Sequence, residues 1–157
     1  MNATRPESPL GVVILAAGAG TRMRSTRPKP LHAVAGATLL AHAMTGAEAA
    51  GPEQVIVVTG HGAEAVSEAA RALRPDVAVA HQSPQRGTGD AVRCALPALE
   101  DFAGEIVVLY ADTPFVRPET IRSAAATVEA GAAVAVLGFE PAEPGGYGRL
   151  ITEDRGA

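Results

Sequence analysis

The residues best placed for chemistry lie in one short stretch. It passes from Val12-Val13-Ile14-Leu15 through Ala16-Ala17-Gly18-Ala19-Gly20-Thr21 to Arg22, Arg24, Arg27 and Lys29. The β-branched run reads as a buried strand. Glycines let the backbone approach a ligand closely, and unpaired N–H groups in such a turn make a cradle for anions. Four of the thirteen basic residues fall within eight positions here. A strand, a glycine turn and clustered cations point to a polyphosphate site.

Two common phosphate loops do not fit. A dinucleotide fingerprint needs a third glycine where Met23 stands, and a Walker A loop needs a Gly-Lys-Ser/Thr run that the chain lacks. Lys29 is the one lysine, against twelve arginines, and it sits between Pro28 and Pro30. An ammonium makes a compact, movable point contact, whereas guanidinium is a planar fork. Lys29 is therefore a candidate for a phosphate that carries charge in the transition state.

Other chemistry-bearing positions recur further on. Gln82-Ser83-Pro84-Gln85-Arg86-Gly87-Thr88-Gly89-Asp90 is a second glycine-bearing loop. The amides of Gln82 and Gln85 carry both donor and acceptor, which suits a ligand with a mixed hydrogen-bonding edge. Asp112, before Thr113-Pro114, sets a carboxylate at the end of an expected strand. His32, His42, His61 and His81 have no metal-ligand spacing and read as structural or exposed.

Elements of alternating type must position these residues. Strands are expected at about 11–16, 54–59, 77–81, 105–110 and 132–139, with helices at about 37–50, 63–73, 88–99 and 118–130. Pro118 stands where a first-turn proline belongs. Such alternation indicates an α/β fold with a largely parallel sheet, whose ligands sit beyond the carboxyl ends of the strands. Both glycine loops and Asp112 fall at strand ends. Tyr147 to Thr152 reads as a further strand, which would leave an open sheet edge. Asp154-Arg155-Gly156 reads as hairpin chemistry with no returning strand, as in a fragment. Residues 1–9 read as a disordered leader, and residues 10–157 as the nucleotide-binding part of one domain.

Composition narrows the class. Hydrophobic residues make up 47% of the 157-residue chain and aromatics only 3%, so the core must be built from Ala, Val, Leu and Ile. The net charge of −4 argues against general nucleic-acid binding. Cys94 stands alone, which excludes an internal disulfide and fits a reducing cytosol. Leu10 to Ala19 has the length of a signal-peptide apolar region, but the strongly basic run follows it instead of preceding it. No apolar stretch has transmembrane length, so a cytoplasmic location is expected.

In order, Leu15-x-x-Gly18-x-Gly20-Thr21-Arg22-Met23, Pro28-Lys29-Pro30, Gln82-x-x-Gln85-x-Gly87-Thr88-Gly89, Leu109-Tyr110-Ala111-Asp112 and Gly146-Tyr147-Gly148-Arg149 resemble the motif set of sugar-phosphate nucleotidyltransferases. The set is most similar to the pyrophosphorylase part of bacterial bifunctional N-acetylglucosamine-1-phosphate uridylyltransferases/glucosamine-1-phosphate acetyltransferases. That resemblance implies a Rossmann-like three-layer nucleotidyltransferase fold. It also implies a reaction of UTP with N-acetylglucosamine 1-phosphate that gives UDP-N-acetylglucosamine and pyrophosphate with Mg²⁺.

The resemblance places Leu15, Ala16, Ala17, Gly18, Gly20, Thr21, Gln82, Gln85, Gly87 and Thr88 against the nucleotide. It brings Arg22 and Lys29 to the phosphates as catalytic cations, and Asp112 to the metal. Tyr110, Ala111 and Gly148 fall on the sugar side. It further implies a homo-oligomeric parent and a second metal ligand, an asparagine, beyond residue 157. The 157-residue chain is therefore expected to bind uridine nucleotides weakly and to turn over little alone. Two positions depart from the family pattern: Ala111 replaces a common glycine, and Asp90 replaces a usual histidine. A transferase for another base or sugar, and a non-catalytic nucleotide-binding module, stay open as alternatives.

Overall fold

The computed structural model describes residues 8–143 and 145–151. Its centre is β1 (Leu10–Ala16), every residue of which is buried. Val12, Val13 and Ile14 have no exposed surface. Burial of one such side chain contributes about 1.5–3 kcal/mol. This burial on both faces is what a β-branched run without alternation requires.

The chain next makes the hairpin β2 (Ala33–Val34) and β3 (Ala37–Thr38), then α1 (Leu39–Glu48). Helix α1 begins later than the expected residue 37 for a local reason. Ala35 and Gly36 both have positive φ, 50° and 86°, at the tip of a two-residue hairpin loop. Thr38 then caps the helix, its hydroxyl accepting the Ala41 N–H at 3.1 Å. Such a cap contributes about 1 kcal/mol.

β4 (Gln54–Thr59), α2 (Ala63–Leu73), β5 (Ala78–His81), α3 (Thr88–Ala95), β6 (Glu105–Tyr110) and α4 (Pro118–Glu129) follow. After α3, residues Leu96–Leu99 tighten into a 3₁₀ turn. Pro97 lies there and has no N–H for a helical ladder.

The main sheet has the order β5-β4-β1-β6 and all of its pairs are parallel. Helices lie on both sides, giving three layers. On one face, Val12, Ile14 and Ala16 pack with Leu40 and Met44 of α1, Val66 and Ala70 of α2 and Ile121 of α4. On the other, Val13, Leu15, Ile56 and Val58 pack with Ala91 and Ala95 of α3. Here α3 and Ala98 and Leu99 of the following 3₁₀ turn cover β1 and β4, while Ile106, Val108 and Tyr110 on the flanking β6 stay partly exposed.

Two expected strands do not form. Residues 132–139 and 147–151 are irregular, and no described strand pairs with the free edge of β6. Val134, Val136, Leu137 and Phe139 are exposed. Their β-propensity has no neighbouring strand or covering layer to act through. Instead, Phe139 meets Tyr147 edge-on with ring centroids 5.1 Å apart. Ser8 and Pro9 are tied to the body of the fold. The Ser8 hydroxyl donates to Glu129 Oε1, and the Glu105 N–H donates to the Pro9 carbonyl at 2.8 Å. The remainder of the leader and the 154–156 turn lie outside the described residues, as does Thr152. Among the described residues, no helix is long and apolar enough to cross a membrane.

Candidate active site

From β1 the chain continues on one side through β4 and β5, then returns to place β6 on the other side of β1. The strand order therefore reverses between β1 and β6, and an open α/β sheet binds ligands at the carboxyl side of such a reversal. A cleft of about 310 Å³ lies there. Leu15, Ala16, Ala17 and Gly18 form one wall, Gln82, Gln85, Gly87 and Thr88 another, and Tyr110, Ala111, Asp112 and Lys29 a third. Residues far apart in sequence meet because parallel strands deliver their carboxyl ends to one edge. Pro30, which the sequence shows only as a flank of Lys29, and Ala91, which carries no chemical signature, also line the cleft.

The signature loop leaves β1 with small residues and turns at Gly20, where φ is +59°. A 3₁₀ turn over Thr21–Met23 follows, and Arg24 closes it, also with positive φ. A Cβ at Gly20 would stand 2.8 Å from the Lys29 Cβ. The glycine thus provides both the left-handed turn and the room for the lysine stem to pass. Lys29 opens a further 3₁₀ turn, Lys29–Leu31, and its Nζ lies 2.5 Å from Asp112 Oδ2. Asp112 follows β6, and the Ala111 N–H donates to the Leu15 carbonyl at 3.1 Å, which holds this corner against β1.

The second loop is tied to the first. Gln85 Nε2 donates to the Ala17 carbonyl at 2.6 Å, and the His61 N–H donates to the same oxygen at 3.1 Å. Gly60 makes this possible, because a Cβ there would stand 2.7 Å from Gln85 Nε2 and 2.8 Å from the Ala17 oxygen. In sequence, Gly60 reads only as the end of a strand, since its neighbours come from two other loops. Gln82 is buried at the end of β5, and its Nε2 donates to the Gly87 carbonyl and to Asp90 Oδ2, both at 2.9 Å.

Four of the expected residues do not line the cleft: Gly20, Thr21, Arg22 and Gly148. Thr21 and Arg22 are exposed in the 3₁₀ turn beside it, and Gly148 lies in the irregular exposed segment. Among the described residues, no group of three or more His, Cys, Asp or Glu side chains is placed to hold a metal ion. Asp112 fits a different kind of site. Its side chain is 41% exposed at the cleft, so one carboxylate is open to an ion that brings phosphate oxygens and water as its other ligands.

A parallel three-layer sheet with a glycine-rich cleft at its reversal point, holding one lysine and one carboxylate, defines a nucleotidyltransferase-type domain. The chain belongs to the MobA-like NTP transferase domain family, whose model matches residues 12–154. The bifunctional protein GlmU of Paracoccus denitrificans (strain Pd 1222) is 50% identical over 150 residues, covering 96% of this chain and 33% of that protein. The chain spans about a third of the length of the curated relatives it matches. Among solved structures, a nucleotidyl transferase from Methanothermobacter thermautotroptrophicus is 31% identical with a TM-score of 0.61, over 75% of this chain and 57% of that one. Rv0371c of Mycobacterium tuberculosis H37Rv, solved as a complex with manganese, is 30% identical with a TM-score of 0.63, over 78% of this chain and 61% of that one.

Proposed function

We propose that this chain forms the nucleotide-binding part of a uridylyltransferase that joins UTP to N-acetylglucosamine 1-phosphate. The products are UDP-N-acetylglucosamine and pyrophosphate. The observation that carries the reading is the meeting of Lys29 and Asp112 in the cleft that the small-residue loop 15–18 also lines. Similarity to GlmU over nearly the whole chain supports the choice of substrates.

The chemistry follows from charge. An oxygen of the sugar phosphate attacks the α-phosphorus of UTP, a new P–O bond forms, and the bond to the β-phosphate bridging oxygen breaks. The second pKa of a phosphate monoester is about 6, so the nucleophile is ionised at neutral pH and needs no general base. The protein's work is to hold the two phosphates in line and to offset charge on the departing pyrophosphate. Backbone at Leu15 to Gly18 approaches the nucleotide, Gln82 meets the base, and Lys29 meets a phosphate oxygen. Arg22, from the rim, draws the triphosphate inward. Asp112 is the residue that would hold Mg²⁺, whose charge neutralises phosphate oxygens when it is bound.

The test is calorimetry with UTP, CTP, GTP, UDP-N-acetylglucosamine and UDP-glucose in Mg²⁺, beside a pyrophosphate-release assay with N-acetylglucosamine 1-phosphate. Preferential binding of UTP and UDP-N-acetylglucosamine is expected. Tighter binding of another base, or of UDP-glucose than of UDP-N-acetylglucosamine, would overturn the assignment.

A further inference from the structure

We propose that Asp90 is a positioning residue that fixes the Gln82 side-chain amide with its carbonyl oxygen toward the cleft, and so makes the site select a base with a ring N–H. This rests on the reading of the cleft as a nucleotide site with Gln82 at the base. Gln82 is only 4% exposed, and its backbone N–H is held by the Thr59 carbonyl at 2.8 Å. Its Nε2 has two hydrogens, and two oxygens stand 2.9 Å from it, the Gly87 carbonyl and Asp90 Oδ2. A carbonyl and an ionised carboxylate only accept, so the chemistry of the partners decides which end of the amide faces them.

Both amide hydrogens are then committed. Oε1 is the hydrogen-bonding atom left over, and no described side chain or backbone group donates to it. Among the described residues, no buried side-chain nitrogen or oxygen lacks a partner. Oε1 therefore reaches solvent, and Gln82 meets solvent at the cleft. An acceptor held in that direction pairs with the N3–H of uracil. Cytosine has a lone pair at the same ring position, so oxygen and nitrogen would oppose each other.

Gly87 and Asp90 differ in what they add. With the Gly87 carbonyl alone, one amide hydrogen is free, and a half-turn of the amide exchanges a single neutral hydrogen bond. The carboxylate adds a charge-assisted bond, about twice as strong as a neutral one. Asp90 also lies in the first turn of α3, where an acidic side chain favours the helix. That structural contribution alters stability and weakens all ligands alike. It does not change the choice between two bases.

The experiment measures Kd for UTP, CTP and 5-methyl-UTP by calorimetry on the unaltered chain and on the Asp90→Ala and Asp90→Asn variants. The unaltered chain is expected to favour UTP over CTP by about tenfold, the worth of one well-made hydrogen bond. In Asp90→Ala the ratio falls to about threefold or less, with CTP binding more tightly than before, which no general loss of structure produces. 5-Methyl-UTP, which keeps the N3–H, follows UTP throughout. Asp90→Asn is expected to behave like Asp90→Ala, because the Asn amide offers either its oxygen or its NH₂ and so accepts both directions of the Gln82 amide. An unchanged ratio in Asp90→Ala, or equal weakening of UTP and CTP, overturns the role of Asp90 and leaves the base assignment standing. Equal binding of UTP and CTP by the unaltered chain overturns the base assignment itself. One readout requires no variant: in the ¹⁵N-labelled chain both Gln82 Nε2 protons should exchange slowly and show NOEs to Gly87 and Asp90. Rapid exchange of both protons overturns the proposal.

Discussion

Lys29 Nζ and Asp112 Oδ2 lie 2.5 Å apart, although 83 residues separate them in the chain. Their side chains are 28% and 41% exposed. An ion pair so open to water contributes only about 0–1 kcal/mol to stability. Its consequence is local: a cation and a carboxylate are held together in the cleft, and neither needs the other for the fold.

Lys29→Ala should therefore weaken UTP binding strongly while the unfolding midpoint in urea shifts by less than about 1 kcal/mol equivalent. Lys29→Arg should also bind poorly, because a planar fork does not reproduce a point contact between two prolines. Calorimetry beside urea melts measures both. Unchanged affinity in Lys29→Arg would remove any special role for the ammonium.

Asp112 gives a prediction about metal. Chelating Mg²⁺ should lower the UTP affinity of the unaltered chain by a larger factor than that of Asp112→Asn, since the variant has lost the carboxylate that would bind the ion. Titrating UTP with and without EDTA decides the matter. Equal factors in the two proteins would exclude Asp112 as the metal's protein ligand.

The glycines of the two loops should separate binding from stability. A Cβ at Gly18 meets nothing within 4 Å. Gly18→Ala should thus fold normally and lose nucleotide affinity, because its methyl enters the space left for the ligand. Gly20→Ala combines a φ of +59° with a clash on the Lys29 stem. It should cost about 1–2 kcal/mol in stability and displace the lysine as well. Thermal melts and UTP titrations on both variants test this contrast; equal stability losses would contradict it.

Gln85→Ala removes the 2.6 Å bond to the Ala17 carbonyl, which keeps the His61 N–H as a donor. The expected stability loss is small, about 0.5–1.5 kcal/mol, since no buried group is left unpartnered. UTP affinity should fall further than that, because the loop at residues 15–18 loses its tie to the second loop. Denaturant melts and calorimetry measure the two effects; wild-type affinity would leave Gln85 with no part in shaping the site.

Local chemistry made much of this protein legible in its sequence. The strands at 54–59 and 105–110 and the helix at 63–73 lie where glycines, prolines and apolar runs place them. Leu15 to Gly18 could be read as a ligand wall because strand, turn and small residues are contiguous. Propensity misled where a partner was needed: residues 132–139 and 147–151 have strand-like sequences and no adjacent strand to pair with. Pairings between loops were beyond sequence reading altogether. Nothing near Lys29 names Asp112, nothing near Gly60 names Gln85, and Asp90 stands out only as a departure from the family pattern until the Gln82 amide is found beside it. Periodicity and turn chemistry act over a few residues, and they determined the elements and the first loop. Contacts across the cleft depend on which strand ends the parallel sheet brings together, and only the packed order β5-β4-β1-β6 decided those.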